Sequence, residues 1–169
     1  MQHRIRAAAI VVEGDSVLLV QHQHDDIGGG RSWWVPPGGG VEGDESLIEC
    51  AMRETLEETG LSVEVGRLAY VREFVEPGYH HCEVFFVATS YTGALVTGSN
   101  PGTGVFDVDH LIKDVRFVRR DEMAGMTIYP EEIKTTFWDD LADGFSGTRY
   151  LGVSRSETKT YLDSQVGAG

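Results

Sequence analysis

The chain has 169 residues, the length of one domain able to bury roughly 70% of its unfolded surface around a single core, so no second domain is needed. Its formal charge of −13, unrelieved by any Lys/Arg-rich run, would repel a nucleic-acid polymer or an anionic membrane and would leave a small anionic substrate in need of a cation. No stretch approaches the ~18 apolar residues of a spanning helix, no leader-like segment opens the chain, and Cys50 and Cys82 fall in an expected helix and strand; a cytoplasmic protein with two reduced thiols is the expectation.

Arg4 to Glu13 (RIRAAAIVVE) and Ser16 to His22 (SVLLVQH) are β-rich runs separated by Gly14-Asp15, which suits a hairpin. His22-x-His24 places two imidazoles on one strand face, a spacing that suits metal, but no third ligand stands nearby. Residues 25 to 31, with Gly28, Gly29 and Gly30, read as a flexible loop of the kind that borders clefts. Trp33 to Gly40 (WWVPPGGG) reads as a short strand and a glycine turn, made rigid by Pro37, which fixes φ and removes a donor. Trp33 and Trp34 each have two readings, stacking on a base or packing in the core.

Gly39 to Leu61 (GGVEGDESLIECAMRETLEETGL) follows. At ~100° per residue, Leu47, Ile48, Ala51, Met52, Thr55 and Thr59 fall on one mostly apolar arc, and Glu54, Glu57 and Glu58 cluster beside it. Ser46-x-x-Glu49 has capping-box spacing and Gly60 sits where a left-handed cap would end the helix. The three glutamates then face the negative end of the helix dipole, with Glu54 and Glu58 as like charges four apart, each effect costing a few tenths of a kcal/mol. Removing one charge, as in Glu58→Gln, is therefore expected to leave metal-free stability unchanged or to raise it by roughly 0.5 to 1 kcal/mol. A divalent cation would relieve the same conflict, and hard carboxylate oxygens suit Mg²⁺ or Mn²⁺. The competing reading is a solvated acidic face.

Spacing separates these readings. Gly39, Glu45 after five residues, Arg53-Glu54 after seven more, then Glu57-Glu58-x-Gly60-Leu61 match the pattern GX5EX7REUXEEXGU of the Nudix hydrolases, with U a bulky aliphatic. The one departure is Thr55 at the first U, which touches packing and leaves the carboxylates intact. The chain resembles that family.

Further along, 62 to 76 and His81 to Thr92 read as a long strand pair closed by Glu76-Pro77-Gly78, with Tyr79, His80 and His81 at its tip, either touching substrate or forming an exposed turn. Residues 97 to 110 form a Gly/Pro-rich loop, and because relatives often supply a further acidic ligand or base here, Asp107, Asp109 and Asp114 are candidates. Val115 to Val118 reads as the final strand and Arg120 to Met123 as a short turn. Pro130 opens a helix through Ile133, Thr136, Phe137 and Leu141 that ends near Gly144. From Ser154 the chain turns polar, so the domain is read as 1 to 153 and a poorly ordered tail as 154 to 169.

The resemblance implies an α+β domain, a Nudix-type α/β/α sandwich with a mixed β-sheet. It also implies metal-dependent hydrolysis of a diphosphate linkage in a nucleoside diphosphate derivative, ADP-ribose or another nucleotide sugar. The alternatives are a nucleoside triphosphate sanitising pyrophosphohydrolase and a non-catalytic nucleotide-binding regulator; an intact set of glutamates argues against the regulator alone. Glu54, Glu57 and Glu58, with the Gly39 carbonyl, would hold Mg²⁺ or Mn²⁺; one of these glutamates or a loop carboxylate would deprotonate the attacking water. Arg53 would orient Glu57, and Glu45 would have an architectural role. The partner is a small nucleotide, with a homodimer open.

Overall fold

The computed structural model describes residues 1–23, 31–96 and 111–156. In chain order the elements are β1 (Gln2–Ile10), β2 (Val12–Glu13), β3 (Ser16–Gln23), β4 (Ser32–Val35), β5 (Gly38–Gly40), α1 (Leu47–Thr59), β6 (Leu61–Glu76), β7 (Tyr79–Gly93), β8 (Leu111–Arg119), 3-10 turns at Arg120–Gly125 and Glu131–Lys134, α2 (Phe137–Ala142) and β9 (Arg149–Arg155). One sheet runs β5-β1-β7-β6-β9 and is mixed, because β1 pairs β7 in parallel and β6 pairs β9 in parallel. In the other sheet β3 is central, paired antiparallel with β2, β4 and β8. A mixed sheet between helices, the α+β expectation, is what the chain forms.

The run AAAIVV explains the layering. Ala7, Ala9 and Val11 pack into the cluster that holds Cys50 and Ala51 of α1, while Ala8 and Ile10 pack into the cluster that holds Phe137 and Trp138 of α2. Alternate residues of one strand thus bury against opposite helical layers, so an unbroken apolar run is required rather than an alternating one. The expected first strand splits here. Only Val12 and Glu13 form the hairpin with β3, across Gly14-Asp15, and β1 joins the other sheet.

Four further expectations are corrected. The glycines of 38 to 40 are an edge strand, not a turn, paired with β1 in the register Ala8↔Gly38, Ala7↔Gly39 and Arg6↔Gly40. The apolar arc of α1 holds for Leu47, Ala51, Met52, Thr55 and Thr59 and gains Cys50, but Ile48 is 42% exposed, because the helix rests on β1 and β6 along a stripe that leaves it outside. Val115–Val118 is not the final strand, since β9 follows α2 and runs to Arg155, past the tail boundary read at Ser154. The helix read from Pro130 is a 3-10 turn and a short α2, interrupted where Thr135 leaves helical geometry (φ −129, ψ −98). Residues 157 to 169 lie outside the described residues. The long β6–β7 hairpin, turning at Pro77-Gly78, forms as expected.

Candidate active site

Local sequence builds α1. Ser46 caps the first turn by accepting from the Glu49 amide, the Ser46 amide donates in return to the Glu49 carboxylate, and Gly60 closes the last turn at φ 78. Thr55, the departure from the signature, is fully buried, and its hydroxyl donates to the Ala51 carbonyl at 2.7 Å, so a polar group enters the core satisfied.

The helix presents its acidic edge to β5. An ideal Cβ on Gly38 would lie 2.5 Å from the Ala7 carbonyl oxygen, and one on Gly39 would lie 2.3 Å from Glu54 Oε1. Gly38 therefore requires glycine against backbone, whereas a side chain at 39 would have to displace the Glu54 carboxylate. The Gly38 amide donates to Glu58 Oε2 at 2.9 Å. Hydrogen bonds from the Ala9 amide to the Pro37 carbonyl and from the Val41 amide to the Ile5 carbonyl bracket the Ala7↔Gly39 pair. Antiparallel alternation then turns the Gly39 backbone toward β1 and the Gly38 and Gly40 backbones outward. The outward oxygens of the strand belong to Gly38 and Gly40; the Gly39 carbonyl, the expected ligand, lies on the β1 side, where the Cys50 thiol also reaches it.

Arg53 is the hub. Its Nε and Nη2 meet both oxygens of Glu45 (3.0 and 2.7 Å), Nη1 meets Glu54 at 2.8 Å and Glu57 at 3.2 Å, and Nη2 also reaches the Gly40 carbonyl at 3.1 Å. A planar fork with five donors makes this possible. Glu45, held by Arg53, is drawn down to about 2, and the guanidinium is held still more firmly protonated. Cys50 lies beneath, its thiol donating to the Gly40 and Gly39 carbonyls at 3.4 and 3.5 Å and pushed up to about 12 by burial.

Glu58 has the opposite environment. Its side chain is 11% exposed, and burial, then the neighbouring Glu54 charge, pushes its carboxyl up to about 8 despite the Gly38 amide. Burial also raises Glu54, against the pull of Arg53. The electrostatic burden expected on these carboxylates is present, but its main cause is desolvation rather than the helix dipole. Glu57 is more exposed, at 40%. Among the described residues no three His, Cys, Asp or Glu side chains are gathered in ligating geometry; Arg53 and Gly38 hold the carboxylates. The donor set nonetheless fits a hard divalent cation, because Glu54 and Glu58 are both nearly buried carboxylates and Arg53, which meets Glu54, is already engaged by Glu45.

His22 was read only as half of a pair with His24, which lies outside the described residues. It faces α1, with Nε2 3.9 Å from Glu58 Oε1, and stacks on Trp33 at 5.9 Å with 14° between the rings. Its signal in the sequence is its alternation with Val20, which is buried in the α1 cluster. Trp34 packs in the opposite cluster, beneath Arg116. Asp114 is not brought to the site: Val20↔Val115 lies on the α1 face, so the adjacent pair Gln21↔Asp114 faces away, and Asp114 caps the Val115 amide. Asp107 and Asp109 lie outside the described residues. The histidines at the hairpin tip brace strands, His80 against Glu73 and the buried His81 against Glu76, and Arg4 covers Tyr79. On the face away from α1, Arg72, Tyr129, Glu131, Glu132, Leu151 and Ser154 line a cleft of about 260 Å³. No helix among the described residues is long and apolar enough to cross a membrane.

This architecture is similar to that of a MutT protein from Bacillus halodurans (TM-score 0.61, 24% identity, covering 92% of this chain and 91% of that one). It is also similar to an ADP-ribose pyrophosphatase from Streptococcus suis (TM-score 0.54, 17% identity, covering 89% and 98%). Over 95 residues the chain is 30% identical to the m7GpppN-mRNA hydrolase NUDT17 of Bos taurus, a match covering 49% of this chain and 32% of that protein, so the chain spans about a third of that relative's length. The NUDIX domain model matches residues 2–138, from the first strand through the signature helix to α2, and the chain belongs to this family, that of the Nudix hydrolases.

Proposed function

We propose that this chain hydrolyses a diphosphate linkage in a nucleoside diphosphate derivative, ADP-ribose or another nucleotide sugar, with a divalent cation, Mg²⁺ or Mn²⁺, held by Glu54, Glu57 and Glu58. The observation that carries the reading is Glu58, an acid nearly buried beside Glu54, whose anionic form is disfavoured until a cation accompanies it. When bound, such a cation neutralises phosphate oxygens and acidifies water. The strand's outward Gly38 carbonyl, which Arg6 Nη2 reaches at 3.4 Å, would add an oxygen at the same edge.

The chain's own residues do the positioning. Arg53 fixes Glu54 and Glu57 relative to Glu45, Gly39 leaves room for the Glu54 carboxylate, and the Gly38 amide anchors Glu58 to β5. The likeness to an ADP-ribose pyrophosphatase supports the nucleotide-sugar reading. Free Cys50 and Cys82 suit the cytoplasm. The test is a substrate screen in Mg²⁺ with nucleotide sugars in one arm and nucleoside triphosphates in the other, repeated in EDTA. Turnover of ADP-ribose or another nucleotide sugar that EDTA abolishes is expected. A full rate in EDTA refutes the metal, and triphosphates as the sole substrates refute the substrate class.

A further inference from the structure

We propose that His22 is a positioning residue for Glu58: its imidazole holds the carboxylate oxygen facing β3 while α1 presents the carboxylate to a divalent cation. This rests on the metal reading above and adds to it a residue from outside the signature helix.

The two oxygens of Glu58 face different sheets. Oε2 accepts from the Gly38 amide on β5, and Oε1 faces His22 Nε2 on β3 at 3.9 Å. One carboxylate at the last turn of α1 is therefore bonded to an edge strand of one sheet and faces the central strand of the other. The imidazole is itself fixed. His22 and Trp33 are register partners on β3 and β4, and their rings stack nearly parallel. A histidine on the α1 face, in line with buried Val20, is a costly core residue unless its ring nitrogens meet polar groups, and the Glu58 carboxylate is such a group.

The 3.9 Å separation is about 1 Å longer than a typical N–H···O bond, within reach of a small rotation of the glutamate side chain. Donation by Nε2–H is open to the neutral ring as well as to the charged one. Partners of this kind orient a ligating carboxylate, and their loss typically weakens metal affinity about 10- to 100-fold.

The experiment is calorimetric titration of the metal-free chain with Mn²⁺ alone, beside melting curves in EDTA. His22→Phe keeps a ring to stack on Trp33 and removes the donor; His22→Gln keeps an N–H donor. The expected result is Mn²⁺ affinity about 10- to 100-fold weaker in H22F, with most of it recovered in H22Q. H22F binding like wild type, or H22Q as weak as H22F, overturns the assignment and leaves the metal reading intact. Equal Mn²⁺ binding by wild type and Glu58→Gln overturns the metal reading itself. Should H22F melt before titration, His22→Leu takes its place with the same expectations.

Discussion

No side chain fits between Gly39 and Glu54. A Cβ on Gly39 would stand 2.3 Å from Oε1 and 2.6 Å from Oε2 of the glutamate, while Arg53 Nη1 donates to Oε1 of the same carboxylate at 2.8 Å. The first signature glycine is thus the space into which a buried carboxylate is pressed, and the strand next to it carries the same requirement for a different reason.

Gly39→Ala and Gly38→Ala are expected to fail differently. The added methyl at 39 meets the end of a side chain, so Glu54 is displaced, and Mn²⁺ affinity and turnover drop while the fold survives. At 38 it meets the Ala7 carbonyl and the Ala8 backbone, so β5 must leave β1, at a cost of about 1 to 3 kcal/mol. Melting curves beside metal titration check the pair; equal destabilisation by both would contradict it.

Glu58 sets a pH dependence in metal-free protein. Its folded pKa, about 8, is above its unfolded value near 4.5, so its contribution is fully present below pH 4.5 and is lost as pH rises through 8. In EDTA, stability should fall across that window with a slope of up to about 1.4 kcal/mol per pH unit. Glu58→Gln should flatten this slope and keep the Gly38 amide satisfied, whereas Glu58→Ala orphans that amide and should cost about 1 to 3 kcal/mol. Denaturant melts of the three proteins from pH 4 to 9 decide it, and a flat wild-type profile would count against a buried acid.

Arg53→Lys is expected to lower turnover by about 10- to 100-fold while binding metal only modestly worse, because an ammonium cannot bridge Glu45, Glu54, Glu57 and the Gly40 carbonyl together. The same change should release Glu45. Its carboxyl now sits at about 2, so it contributes stability above pH 4.5 that is lost as pH falls through 2; in the variant its titration should move up toward 4.5. Carboxyl NMR titration reads this directly, and an unmoved Glu45 would show that Arg53 does not hold it.

Asp114→Asn should be silent. The residue faces away from α1 and spends its carboxylate on the Val115 amide and near Arg116. Metal titration and turnover are expected at wild-type levels; a loss of tenfold or more in either would show that the site extends to β8.

The sequence by itself determined α1 and the β6–β7 hairpin. Ser46, Glu49 and Gly60 make their bonds within the helix, and Pro77-Gly78 turns the chain between residues already neighbours, so the information is local. The carboxylate edge was legible for the same reason, since 3.6-residue periodicity alone brings Glu54, Glu57 and Glu58 together. Tertiary structure decided everything that depends on which distant strand lies alongside. Three glycines read as a turn until β1 pairs with them, β9 finds its partner in β6 across some eighty residues, and His22 meets Glu58 only because β3 and α1 cover the same core. It also decided which effect dominates the acidic edge: dipole and like-charge repulsion follow from position along a helix, whereas the larger shift of Glu58 comes from burial, which exists only once β5 and β3 close over it.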